Sequence, residues 1–572
     1  MTTDVSTAPP HSPEPPSDPP PDRTVVAIGV LAVLGIVLWA ALGKDSFSHA
    51  TDTGLNWVLE NFSWLFMIAA NVFLVLCVVL ALGRYGRIRL GKDDEEPEFT
   101  GLAWVAMMFS AGMGIGLMFY GVGEPLQHFV DAPPFGGPKS GTENAARVAL
   151  EYSFFHWTLH PWAIYGISGL ALAYVTFRKG RGNRISAVFV PLFGQRRADG
   201  WQGKVVDLLA VFATVFGTAT SLGLGALQVA GGLNETVGLS ASTSLELLII
   251  VVLGAAFVFS AMSGLHRGVK WLSSINLVLA ACLMLFVFVV GPSVYILNSI
   301  PATVGPYLQE LLITSTRTGA FGQQEWLGAW TIFYWAWWLS WAPFVGTFLA
   351  RISQGRTVRE FLLAVLLIPS GASAVWFCVM GGTAIRLDQN GNADLAANAD
   401  DAEKSLFSML DALPLTGITS VVAILLVMMY FITSADSASL VMGSLTSRGA
   451  LHPRTWLVVT WGVLMSAVAA VLLLAGGLDS LKSGTILVAL PFVLVMLALC
   501  WALVRELRQD PGAGVPRQHQ SLHGLRDAVR RMVGDAMVQQ DQETGPAGGG
   551  ERVRHRRLRR AAESRRTDGE EE

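Results

Sequence analysis

An all-α integral membrane protein is the fold class that three observations predict. The 572 residues are 52% hydrophobic and only 15% charged, and their mean hydropathy is +0.48. The apolar residues fall into about twelve long runs, each enough to cross a hydrocarbon core of ~30 Å as a helix. Those runs lack the period-two alternation of a membrane barrel strand, and lipid tolerates no spanning backbone other than helix or closed barrel. A soluble enzyme is excluded.

Taken in order, the predicted spans cover residues 24–43, 62–83, 99–121, 145–177, 204–230, 243–263, 269–295, 324–349, 358–384, 415–446, 455–475 and 481–504. Residues 1–23 are rich in proline, serine and acids, with too few apolar groups to offset ordering entropy, and read as a disordered cytoplasmic tail. No basic start or cleavage site marks a signal peptide there. The net charge of −3 is uninformative, whereas the placement of Lys and Arg is not. Loops after even-numbered spans, with their margins, carry eighteen basic residues against six or seven after odd-numbered ones, which puts both termini in the cytoplasm of a cell-membrane protein. The outer segment 296–323 reads as a linker with an interfacial helix around Tyr307–Ile313. Residues 505–572 form a polar cytoplasmic tail with fourteen arginines and no lysine, six of them between Arg552 and Arg560, and an amphipathic helix is predicted over Leu522–Met537.

Cys77, Cys282, Cys378 and Cys500 all sit in or at the end of apolar runs, so neither a disulfide framework nor a Cys-x-x-Cys metal site is expected. No phosphate-binding G-x-x-x-x-G-K-[ST] loop and no G-x-S-x-G elbow occurs. The expectation is a protein without enzymatic activity, bound cofactor or nucleic-acid partner, driven if at all by an ion gradient.

Four features carry chemistry. The run Ser110-Ala111-Gly112-Met113-Gly114-Ile115-Gly116 places three glycines at alternate positions inside a span. It fits either close helix packing through Gly112 and Gly116 or an unwound backbone facing ions or solute. The eighth span holds Trp326, Trp330, Trp335, Trp337, Trp338 and Trp341, six tryptophans in sixteen residues, where interfacial belts use one or two. The fourth carries His156-Trp157-Thr158-Leu159-His160-Pro161-Trp162-Ala163-Ile164-Tyr165, with Pro161 placed to bend the helix. Several aromatic faces together recognise a quaternary ammonium, although aromatic packing between helices explains either cluster alone. The tenth offers Tyr430 to Ser439, rich in the hydroxyl oxygens that suit a hard cation such as Na+. Glu151 and Asp207 read as caps or packing pairs, and His156 and His160 as neutral hydrogen-bonded groups.

Three blocks of residues then resemble the betaine/choline/carnitine transporters across nearly all the spans. They are Gly112–Gly116 followed by Glu124-Pro125-Leu126, the Trp157–Tyr165 stretch, and Trp337–Gly346 running on to Arg356. The resemblance implies two accessory helices (residues 24–98) and two inverted five-helix repeats (99–295 and 324–504) in a leucine-transporter-like core, commonly trimeric. It implies an aromatic box of Trp157, Trp162, Tyr165 and Trp338, with Trp337 and Trp341 on the access path and Gly112, Gly114 and Gly116 on the solute side. A sodium site would use Ser110, Met113, Tyr430, Thr433 and Ser434, and a second one Thr214, Thr218 and Phe344. Choline-type members place an acid where Gly116 stands, so the glycine favours a zwitterion. The function implied is Na+-driven import of a compatible solute such as glycine betaine for osmoprotection. Anionic lipids and a second and third copy of the chain are the implied partners. Choline, carnitine or ectoine transport, H+-coupled or by exchange, and a membrane osmosensor with weak transport are the alternatives.

Overall fold

The computed structural model describes residues 19–514, apart from residues 113, 135–136, 263–265 and 392 and the side chains of 109–112, 266–271 and 398. The described residues up to Ala513 form one unit. The predicted amphipathic helix at 522–537 and the arginine cluster lie outside the described residues, as does most of the N-terminal tail.

Among the described residues the secondary structure is helical, and the β contact is an isolated bridge between Arg89 and Thr357. We number the principal helices α1 (Arg23–Leu42), α2 (Lys44–Leu82), α3 (Gly101–Gly112), α4 (Ile115–Val130), α5 (Glu143–Trp157), α6 (Leu159–Ala173), α7 (Trp201–Val237), α8 (Thr243–Met262), α9 (His266–Val290), α10 (Ser293–Ser315), α11 (Phe333–Ile352), α12 (Val358–Gln389), α13 (Ala402–Asp411), α14 (Thr416–Thr446) and α15 (Thr455–Arg508). Eight of the described helices contain an unbroken segment long and apolar enough to cross a membrane. The chain is thus a multi-helical membrane protein. Helix starts are locally encoded. Asp22 caps α1 by accepting from the Thr24 and Val25 amides, and Thr357 with Glu360 closes a reciprocal capping box on α12.

Several predicted boundaries need correction. α2 begins at Lys44 rather than residue 62, because hydropathy marks the apolar part of a helix whereas residues 44–61, though polar, contain no proline to stop one. The seventh run ends at Val290, before Gly291-Pro292, and the outer segment folds as α10. The third and fourth runs are each two helices. Between α3 and α4 the backbone at Gly114 is extended, with φ −160° and ψ −170°, so the glycine-rich run is broken rather than a continuous packing face. Between α5 and α6 the interruption falls at Thr158, φ −113° and ψ −111°. Pro161 has no N–H for the carbonyl of Trp157, so the predicted bend appears as a break one turn earlier.

The interior is arranged around α7, which packs against α11, α14 and α15. α6 and α11 approach closely because Gly346 presents no side chain to Ser168, and Ser168 donates to the Ala342 carbonyl at 2.8 Å. At one end of the molecule Asp510 accepts from Arg178 at 2.9 Å and from Tyr174 at 2.7 Å, while Arg178 also reaches the Gly91 carbonyl at 3.0 Å. Burial opposes the Asp510 charge, but these donors and the Gly512 amide outweigh it and hold the carboxyl below its ordinary value.

α15 is bent at Gly476 and Gly477, the latter at φ 62° and ψ −137°, a region open essentially only to glycine. Nothing lies within 4 Å of a side chain added at Gly477, so substitution there tests backbone strain alone. Gly477→Ala is expected to cost about 1–3 kcal/mol, read as a lower thermal midpoint in detergent. Gly101→Ala, on helical backbone that is equally open, should not lower it.

Candidate functional site

The breaks in α3–α4 and α5–α6 open onto a cavity of about 450 Å³. Trp157 is the last residue of α5, and Trp162 and Tyr165 follow in α6, so the break sets the three rings at different heights along one wall. α11 contributes Trp337, Trp338 and Trp341. Trp338 is the centre of the aromatic set. Its ring lies 4.8 Å from Trp157 at 72° and 6.2 Å from Tyr165 at 79°, both edge-on, and stacks on Trp337 at 4.8 Å and 15°. Trp162 meets Tyr165 at 5.5 Å and 80°. The Trp338 indole is fixed by donating to the His156 carbonyl at 3.0 Å. Mutually edge-on rings offer several π faces to one volume, the arrangement a cation without N–H groups needs.

A second wall is polar. Tyr430, Thr433 and Ser434 from α14 line the same cavity, with Phe344 from α11 and Asn276 from α9. The Thr433 hydroxyl lies 2.9 Å from the Met429 carbonyl and 3.3 Å from that of Tyr430. The Asn276 amide reaches it at 3.5 Å, while the Asn276 carbonyl oxygen is buried without a partner in the protein. Orphaned oxygen beside hydroxyl and carbonyl oxygens is a donor set suited to a hard cation.

Most of the predicted site residues therefore come together. Gly114 and Gly116 line the cavity, but Thr214 and Thr218 do not. The Thr214 hydroxyl donates to Ala210 within its own helix at 2.8 Å, and that of Thr218 is buried without a partner. Met113 and the side chain of Ser110 lie outside the described residues, and Gly112 is described only as the end of α3. Glu151 pairs with Arg147, and Asp207 accepts from the Ser186 amide and hydroxyl at 2.9 and 2.7 Å. His160 is buried with Nε2 3.4 Å from Asn71.

Sequence reasoning passed over Asn276 and, more importantly, Glu124. This fully buried carboxylate on α4 accepts from Trp157 Nε1 at 2.7 Å and from the Tyr334 hydroxyl, and meets His156 Nδ1 at 2.7 Å. Its signal was masked, since it falls three residues past the predicted third span, whereas the helix Ile115–Val130 carries it inside, where an acid is a functional-site hypothesis in itself. It had been read only as part of the Glu124-Pro125-Leu126 block.

Comparison with known proteins decides what kind of cavity this is. Residues 24–512 match the family described as BCCT, betaine/carnitine/choline family transporter. The chain belongs to that family. It is a multi-pass membrane transporter and not an enzyme. Among its relatives, the glycine betaine transporter OpuD of Bacillus subtilis is 45% identical over 488 residues, 85% of this chain and 94% of that protein. A probable glycine betaine transporter of Desulfitobacterium hafniense is 42% identical, over 85% of this chain and 98% of its own. The betaine/ectoine transporter LcoP of Corynebacterium glutamicum is 40% identical, over 89% and 81%.

Within this transporter, Gly116 packs directly against the aromatic wall. A Cβ there would stand 2.8 Å from Trp337 Cη2 and 2.9 Å from Trp157 Cη2, whereas at Gly114 it would meet nothing within 4 Å. Gly116→Ala should therefore displace both indoles and weaken the apparent affinity for transported solute by about tenfold, within the range of overpacking costs. Gly114→Ala, on extended backbone that any residue adopts, should change it by less. Equal effects at the two positions would show that the rings do not set affinity.

Proposed function

We propose that the protein is a secondary symporter that imports a zwitterionic quaternary-ammonium solute, glycine betaine foremost, together with Na+. The observation that carries this reading is the set of edge-on rings of Trp157, Tyr165 and Trp338 around one cavity that the hydroxyls of Thr433 and Ser434 also line. A trimethylammonium group has no N–H to donate and gains from π faces in a desolvated site. The names borne by the relatives from Bacillus subtilis and Desulfitobacterium hafniense point to the same solute, and competition by ectoine tests the alternative raised by LcoP. Gly116 supports a zwitterion over a bare cation, because no protein anion stands among the rings at that position.

For the coupling ion, the fitting residues are Thr433 and Ser434 with the backbone at Tyr430, supplemented by Asn276, all neutral oxygen donors. Bound there, Na+ would supply a charge that ties α9 and α14 together beside the solute. Ser110 and Met113 complete this proposed set, and Thr214, Thr218 and Phe344 form a proposed second one. The architecture we assign is twelve spans, two accessory helices followed by inverted five-helix repeats, in a homotrimer with both termini in the cytoplasm of the cell membrane. The arginine-rich segment after residue 504 is assigned to anionic lipid, whose attraction for each basic residue is about 1 kcal/mol near the surface.

Uptake by purified protein in liposomes tests both halves. Trp338→Ala removes a cation-π face worth on the order of 2 kcal/mol when desolvated and should raise the Km for glycine betaine about thirtyfold. Trp338→Phe, which keeps a ring, should raise it less, and an unchanged Km in the alanine variant would take the residue out of the site. Replacing Thr433 and Ser434 together by Ala should lower the apparent affinity for Na+ while leaving solute affinity at saturating Na+ much less affected. Retention of the wild-type Na+ dependence would place the ion elsewhere.

A further inference from the structure

Behind the aromatic wall, away from the cavity, Glu124 gathers groups from three elements. α5 contributes His156 and Trp157, α11 contributes Tyr334, and α4 itself adds His128, whose Nε2 is 3.6 Å from Oε1. All are buried. The donors around Glu124 suit an ionised acid. An ionised carboxylate accepts from the indole N–H, the phenol O–H and the His156 Nδ1–H, and His156 Nε2 is then free to accept from the Thr331 hydroxyl 3.0 Å away. A metal is a poorer occupant. The 2.7 Å between Glu124 Oε1 and His156 Nδ1 is a hydrogen bond, shorter than the roughly 3.3 Å that two ligands of one tetrahedral zinc at ~2.0–2.1 Å keep between them.

The two donors other than His156 are the rings that flank Trp338. Trp157 meets it edge-on at 4.8 Å, and Tyr334 lies parallel to it at 5.8 Å and 14°. We infer that Glu124 is a positioning residue of the solute site: as an ionised acceptor it locks Trp157 and Tyr334 against Trp338 and raises the electron density of both rings toward the quaternary ammonium. The first effect is geometric, since Trp157 ends α5 at a break where its own helix gives the ring little support. The second is electrostatic. An indole or phenol that donates to a carboxylate is polarised, and its π face becomes more negative. The carboxylate carries no contact with the solute in this arrangement, because Glu124 does not line the cavity. Its positive counterpart, Lys482, stands one aromatic layer away over Trp330 and Phe333, 5.3 Å from each ring.

The inference rests on the quaternary-ammonium reading of the cavity and is tested with Glu124→Gln. The variant keeps the volume and loses the charge: its NH2 either faces the Trp157 N–H, leaving that donor unmet, or faces His156, whose proton must then move to Nε2 toward Thr331. Full-length wild type, Glu124→Gln and Tyr334→Phe are purified and checked by gel filtration and circular dichroism. Glycine betaine and tetramethylammonium are then titrated by tryptophan fluorescence, and maximal uptake of glycine betaine is measured separately. Glu124→Gln should weaken glycine betaine about tenfold and tetramethylammonium more, since the latter has no carboxylate to be relieved of repulsion. Maximal uptake at saturating solute should stay within about twofold, because a uniform loss of binding raises Km without touching the turnover step. Tyr334→Phe, which removes one donor and keeps the stacked ring, should weaken both probes about threefold. It also decides the matter if Glu124→Gln does not fold. Unchanged affinity in a folded variant, or a loss confined to maximal uptake, overturns the inference. Wild type that binds tetramethylammonium but not glycine betaine overturns the proposed solute while leaving Glu124 testable, and wild type that binds neither overturns both.

Discussion

A helix that stops inside a membrane leaves backbone amides and carbonyls with no water to turn to, and the rest of this structure depends on where those stops are placed. Lipid cannot satisfy such groups, so they must face protein or a polar cavity. Here Gly114 and the residues on either side of the stop at Thr158, Trp157 and Pro161, line the same cavity. Had the run broken at Thr158 been continuous, Trp157 and Trp162 would lie five residues apart on one regular helix, about 140° apart around its axis. Breaking the helix between them is what allows both rings to line one volume, and the same break frees the end of α5 to deliver Trp157 to Glu124.

The energetics divide between walls in a way that suits a transporter. Aromatic faces bind a cation without forming hydrogen bonds that must be broken one by one on release, and the hydroxyl wall offers neutral oxygens whose hydrogen bonds to their own helix, such as Thr433 to Met429, can be re-formed when a ligand leaves. Neither wall carries a permanent charge. The charged groups of this region, Glu124 and Lys482, are held outside the cavity lining, where they shape the site without trapping an oppositely charged solute in it.

Much of this was legible in the sequence, and the part that was not has physical causes. The density of tryptophan between residues 326 and 341, and the Trp157–Tyr165 stretch, identified the rings because neither belt nor ordinary packing requires so many. Pro161 announced a break, though its position followed from which carbonyl loses a partner rather than from the proline itself. The start of α2 at Lys44 was hidden because hydropathy measures solvent preference and not helicity. Thr214 and Thr218, four residues apart, share a helix face, but spacing does not say how far along that face the cavity reaches: Ser221, one turn on, lines it, and the two threonines do not. Glu124 and Asn276 were missed for a related reason. A single polar residue is conspicuous in such a chain, yet its partners lie on other helices, Trp157 and Tyr334 for Glu124 and Thr433 for Asn276.

The closeness of Gly116 to Trp157 and Trp337 also bears on how specificity in such a cavity can diverge over evolutionary time. Any side chain at this position, acidic or not, begins with a Cβ that the two indoles already exclude. An acid cannot therefore be introduced alone and judged on its charge. It must be accompanied by a change that retracts at least one ring, through the residues that hold it: Glu124 for Trp157, or the Gly217 carbonyl, to which Trp337 donates at 3.3 Å. Lineages that exchange a zwitterionic cargo for a cationic one by this route are bound to show substitutions at 116 that co-vary with those second contacts. A single replacement here starts with a loss of affinity, so the order in which mutations accumulate is constrained by van der Waals contact as well as by charge.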